Sequence, residues 1–272
     1  KDLLYMKRDM REWFGYLIPL IIMVFFIAQY LFLQVNTAQS SLISVLIMYT
    51  LMFSGNLALQ AFGREGEADW FLNSVPLSGW PVVWGKLLGA VLPTLILMEA
   101  LLAGTAIAIG LSASMTLMLA VGAVLLSFGA SAIGLFYSIS NARYNPDNPQ
   151  QRISPGASLI MYLINLLFLL LLGLALLYLI PPAELLAVLP FLSEVPPPSG
   201  AFLRALLKIA LFVTAPFKWS APARIAAGLL VTGAVWSAFF FGFMAATARQ
   251  SKKGFHVEVV TGGSRRNRKI KK

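Results

Sequence analysis

The sequence predicts an all-α membrane protein, a bundle of six transmembrane helices, and three observations carry that expectation. First, of 272 residues 58% are hydrophobic and only 12% are charged, where a soluble domain has roughly 25% charged residues. Second, the apolar residues gather into runs long enough to cross a hydrocarbon core. Third, Lys and Arg divide unevenly between the segments that join those runs.

Taken in order, residues 1–15 place Leu3, Tyr5 and Met6, then Met10, Trp13 and Phe14, at helical spacing, with Lys7, Arg8 and Arg11 between them. That is the pattern of a helix lying in the headgroup region. Residues 16–35 form the first expected span. The short polar stretch Asn36–Ser40 reads as a turn. The second span is expected at 41–62, with Asn56 and Gln60 near its end. The third runs over 87–111 and holds Pro93 and Glu99. The fourth, 116–139, carries Gly122, Ser127, Gly129, Ala130 and Gly134. Small residues let helix backbones approach closely in lipid, so this span is expected at the centre of the bundle. Asn145-Pro146 and Asn148-Pro149 force turns in the loop after it, and the fifth span follows at 156–180.

Residues 181–222 break the pattern. Pro196-Pro197-Pro198 is stiff and extended. Phe202 to Phe217 is apolar but holds Arg204 and Lys208 one turn apart. As a span it would place two charges in hydrocarbon, at about 2.5–3.5 kcal/mol each. It reads instead as helices that dip into the membrane or lie on it without crossing. The sixth span is expected at 225–248, followed by a basic tail over 249–272.

Six spans put both ends on one side. Lys and Arg number 17 on the terminal side and 4 on the other, and 8 against 4 without the tail. The positive-inside rule then places both ends, the 63–86 segment and the Asn-Pro loop in the cytoplasm.

The 63–86 segment, GREGEADWFLNSVPLSGWPVVWGK, concentrates Glu65, Glu67 and Asp69, followed by Trp70, Phe71 and Leu72. Acids suit the first turn of a helix. Pro76 stops that helix, and Ser78-Gly79 with Pro81 opens the next. The segment reads either as a short amphipathic helix that docks a soluble partner or as a solvated loop returning the chain to the bilayer.

Several chemistries lack their residues. No cysteine is present, so there is no disulfide framework, and a single histidine, His256, rules out a His-cluster metal site. No phosphate-binding loop, zinc motif or nucleophile elbow occurs, so neither catalysis nor a cofactor is expected in this chain. The charge lies in a tail, not on a nucleic-acid-binding face. Glu99 is the one acid inside an expected span. It is read either as a neutral carboxyl hydrogen-bonded to Asn56, Gln60, Asn165 or a serine, or as a polar point in a transport path or a proton carrier.

The order of these elements resembles the membrane subunits of ABC-2 type transporters over essentially the whole chain. The segment FGREGEADWFLNSVPLSGWPVVWGK looks like the coupling region of that family. KDLLYMKRDMREW and YNPDNPQQRISPG also look like the large bacterial permeases in which two bundles are fused, where a Lys-Asp start opens the second half. The tail SRRNRKIKK departs from the family pattern. The resemblance implies one transmembrane domain over 1–248, with re-entrant extracytoplasmic helices between spans five and six. It implies the permease of an ATP-driven exporter in a bacterial cytoplasmic membrane. The chain would pair with a second permease bundle and with a cytoplasmic ABC ATPase that holds the ATP and Mg. Glu65, Glu67, Asp69, Trp70, Phe71 and Leu72 would carry the coupling, and Glu99, Asn56 and Gln60 would be intramembrane polar positions. The alternative is a non-transporting scaffold or assembly subunit with the same fold.

Overall fold

A computed structural model describes residues 21, 24–25, 28, 38–68, 74, 79–144, 152–179, 181, 200–254 and 256–259. The expected headgroup helix over 1–15, most of the first span, Asp69–Leu72, the proline-rich run and the end of the tail lie outside the described residues. The described chain is helical almost throughout: α1 (Ala38–Leu59), α2 (Gly79–Ile109), α3 (Ala113–Asn141), α4 (Pro155–Leu179), α5 (Ala201–Thr214) and α6 (Ala221–Lys252). Four of these, α2, α3, α4 and α6, are long and apolar enough to cross a membrane. They mark the chain as a multi-pass membrane protein.

Helix limits differ from the expected ones in two instructive places. Ala38–Ser40 belong to α1 rather than to a turn. Polar residues sit well in a first turn, whose N–H groups have no partner within the helix. Helix α2 begins at Gly79, so 79–86 extends the third apolar run by two turns. It also continues through Pro93, which has no N–H to offer the carbonyl of Gly89. Next to that break the Thr94 hydroxyl donates to the carbonyls of Val91 at 2.7 Å and Ala90 at 3.2 Å.

The chain divides into two compact units, residues 1–166 with 239–272, and residues 167–238. In the first, α3 packs along α1 and α2. The half of α3 that holds Ser127, Gly129, Ala130 and Gly134 is buried, whereas Gly122 faces open space. A methyl group at Gly134 would overlap the carbonyl oxygen of Gly55, so this crossing requires glycine. Around it Ser54 Oγ donates to Ser127 Oγ at 3.2 Å, Ser131 Oγ to the carbonyl of Ser54 at 3.2 Å, and the Phe62 N–H to Ser138 Oγ at 3.0 Å. Hydroxyl bonds and close backbone contact hold helices together where lipid supplies no hydrophobic drive. Phe53, Leu57 and Met98 fill the α1–α2 contact. The last turns of α6 join through rings: Phe240 meets Trp84 at 6.0 Å and Phe128 at 6.1 Å, and Phe243 meets Phe136 at 5.5 Å.

In the second unit Tyr178, near the end of α4, organises the packing. Its ring lies 5.2 Å from Phe217, which sits in the 3₁₀ turn Ala215–Lys218 after α5.

Candidate functional site

The polar end of the first unit gathers segments far apart in sequence. After α1 the chain turns through Gln60–Phe62 into the 3₁₀ helix Gly63–Ala68. The turn closes by backbone bonds, from Ala61 N to the carbonyl of Ala58 and from Arg64 N to that of Gln60, both 3.1 Å. Phe62 is fully buried beneath it. Gly63 passes so close to the next loop that a methyl group there would overlap the carbonyl oxygen of Arg152.

That loop follows α3. Ala142 bridges Ile153, and the Arg143 N–H donates to the Arg152 carbonyl at 3.0 Å. The residues after α6 close the corner. Strand β1 (Arg143–Tyr144) pairs in parallel with β2 (Glu258–Val259), and Arg143 Nε donates to Glu258 Oε2 at 2.7 Å. Val257 is buried under this pairing. The start of α2 seats on the end of α6: a methyl group at Gly79 would overlap the carbonyl of Ala248.

Across the corner Lys86 Nζ donates to Glu65 Oε1, with the two side chains only 6% and 3% exposed. The pair ties the 3₁₀ helix after α1 to the third turn of α2. The sequence gives Glu65 to a segment read as a docking helix or a solvated loop; in the structure its side chain is buried. Glu65 faces inward because a charge enclosed here needs an opposite charge beside it, and Lys86 supplies it from 21 residues away. Such a pair adds little net stability, since desolvation offsets most of the attraction. Glu67 lies in the same 3₁₀ helix. Asp69, Trp70, Phe71 and Leu72 follow outside the described residues, and Ser74 beyond them is helical and exposed.

Residues 69–78 connect the 3₁₀ helix and α2 in sequence. One end joins α1 through a turn bolted by Glu65, and the other opens directly into α2. Sequence reasoning missed Lys86 and Arg152 as members of this corner. The only signal was their charge next to apolar runs.

Glu99 lies elsewhere, on α2, in a cleft of about 630 Å³ between α2 and α3. The walls are Leu102, Ala106, Leu117 and Ala120 among others. Glu99 Oε1 is buried and has no hydrogen-bond partner among the described residues. The expected bond from Asn165 is not made: Asn165 is buried and its Nδ2 donates to Met161 Sδ at 2.7 Å. Asn56 is half-buried on α1, and Gln60 is half-buried in the turn after it. The structure does not bring Glu99 together with the 63–68 corner, and among the described residues no cluster of His, Cys, Asp and Glu could hold a metal ion. Comparison with protein-family models, with curated proteins and with solved structures finds no match.

Proposed function

We propose that this chain is the membrane-spanning permease subunit of an ATP-driven exporter of the ABC-2 type. It has six spans, both termini and the 63–86 segment in the bacterial cytoplasm, and a second permease bundle beside it. A separate cytoplasmic ATPase binds and hydrolyses the ATP, with its Mg, and docks on the segment through Trp70, Phe71 and Leu72, with Glu67 and Asp69 setting orientation. The observation that carries this reading is the buried Glu65–Lys86 pair. A return loop that only reconnects two helices gains nothing from a charge pair enclosed at its root, because such a pair costs about as much to desolvate as it returns. A segment that transmits the closure of a partner needs a stiff root, and this pair supplies one.

The test is to purify the full chain from its native membrane and identify the proteins that remain bound. An ABC ATPase in stoichiometric amount, with ATP hydrolysis that depends on this chain, is the expected result. Stable association with an unrelated membrane complex and no ATPase would overturn the exporter reading in favour of a scaffold subunit.

A further inference from the structure

In the second unit a short helix hangs at the ends of two membrane-length helices. Tyr178, one residue before the end of α4, donates its hydroxyl to the carbonyl of Val213 at 2.7 Å. Its own carbonyl accepts from Arg224 Nε at 3.2 Å, near the start of α6. Helix α5 and the 3₁₀ turn after it therefore sit where both apolar helices end. With 14 residues, α5 is about 21 Å long, short of the roughly 30 Å hydrocarbon core. A helix of that length, tied to the ends of two membrane-length helices, fits the membrane–water boundary.

The surface of α5 suits that level and no other. Phe202 is 74% exposed, Phe212 81% and Ile209 59%, a face that water would penalise. Arg204 and Lys208 are also exposed. They stand one turn apart and about 40° apart around the axis, a narrow cationic stripe in an otherwise apolar surface. Lys218 and Trp219 follow, both exposed. Residues 167–238 contain four Lys and Arg against two acids, Glu184 and Glu194. Long basic side chains at this depth lay their methylenes on lipid and carry their charge to the phosphates.

We propose that α5 is a headgroup site for anionic phospholipid. Lys208 and Arg204 hold the phosphate, while Phe202, Ile209 and Phe212 enter the acyl chains. A zwitterionic headgroup brings its own cation and leaves the stripe uncompensated; an anionic one neutralises it. Arg204 also interacts within the chain, so Lys208 is the cation on which the test turns. The inference is independent of the exporter reading and holds equally for a scaffold.

The experiment is native mass spectrometry of the full chain from micelles containing phosphatidylglycerol and phosphatidylcholine with identical acyl chains. Retention should favour phosphatidylglycerol by about fivefold or more, the effect of one basic residue near an anionic surface. Lys208→Gln should bring the ratio close to one, and Lys208→Arg should restore it. Exchanging Arg265, Arg266, Arg268, Lys269, Lys271 and Lys272 for Gln should leave the ratio unchanged, because the proposed site is carried by α5 alone. A preference that survives Lys208→Gln, or one abolished by neutralising the tail, overturns the proposal.

Discussion

Removing one member of the Glu65–Lys86 pair leaves the other charge in a site closed to water. In Lys86→Met the carboxylate of Glu65, on a side chain 3% exposed, loses the cation that Lys86 placed against it. Breaking a buried pair from one side costs about 3–5 kcal/mol. At about 2–4 °C per kcal/mol for a domain of this general size, the melting temperature should fall by about 6–20 °C. Replacing both members, Glu65→Leu with Lys86→Met, removes both charges and should recover most of that loss, since apolar replacement of a buried pair is often neutral or better. Glu258→Gln provides the contrast. Its pair with Arg143 has side chains 61% and 38% exposed, and exposed pairs contribute about 0–1 kcal/mol. The assay is thermal unfolding of the purified chain in one detergent, with all four proteins compared at equal scan rate. Two results would refute the reasoning: a Lys86→Met shift no larger than that of Glu258→Gln, or a double variant no more stable than the single.

Three further substitutions test other parts of the structure. Gly63→Ala should destabilise by about 1–3 kcal/mol, the usual cost of overpacking, because its methyl group overlaps the Arg152 carbonyl; Gly104→Ala, which meets open space, should not. Glu99→Leu should leave the melting temperature unchanged or raise it, since Oε1 has no described partner to strand; a loss above about 1 kcal/mol would reveal one. Tyr178→Phe removes the hydroxyl bond to Val213, worth about 0.5–1.5 kcal/mol, and should speed hydrogen exchange across Ala201–Thr214 while leaving α1 unchanged.

What could be read in the sequence followed from local chemistry. Ser78-Gly79 with Pro81 marks the start of α2, because capping and proline act within a single turn. The small residues of α3 announce its contact with α1, since only they permit so close a crossing, and Gly134 is where the backbones meet. Arg204 and Lys208 argue against a span over Phe202–Phe217, and the helix found there, Ala201–Thr214, has 14 residues. Long-range pairing was not legible. Nothing local tells Glu65, which turns inward, from its neighbours, because its fate is decided by Lys86 two helical turns into the next element. The pairing of Arg143–Tyr144 with Glu258–Val259 involves two residues a side, too few for any periodicity. Glu99 shows the converse: its isolation in an apolar helix was plain, but that Asn165 donates to Met161 Sδ is revealed only by the folded geometry.

In the proposed exporter, residues 69–72 receive a soluble partner and the root beside them carries its motion into α1 and α2. The most direct measurement is substrate-stimulated ATP hydrolysis by the complex of this chain with its copurified ATPase, with and without Trp70→Ala. A buried interface tryptophan supplies about 2 kcal/mol or more of binding, so the variant should lose most of the bound ATPase and the stimulation while the isolated chain melts as the native protein does. Full retention of the ATPase with unchanged stimulation would contradict the account and leave the segment a connecting loop.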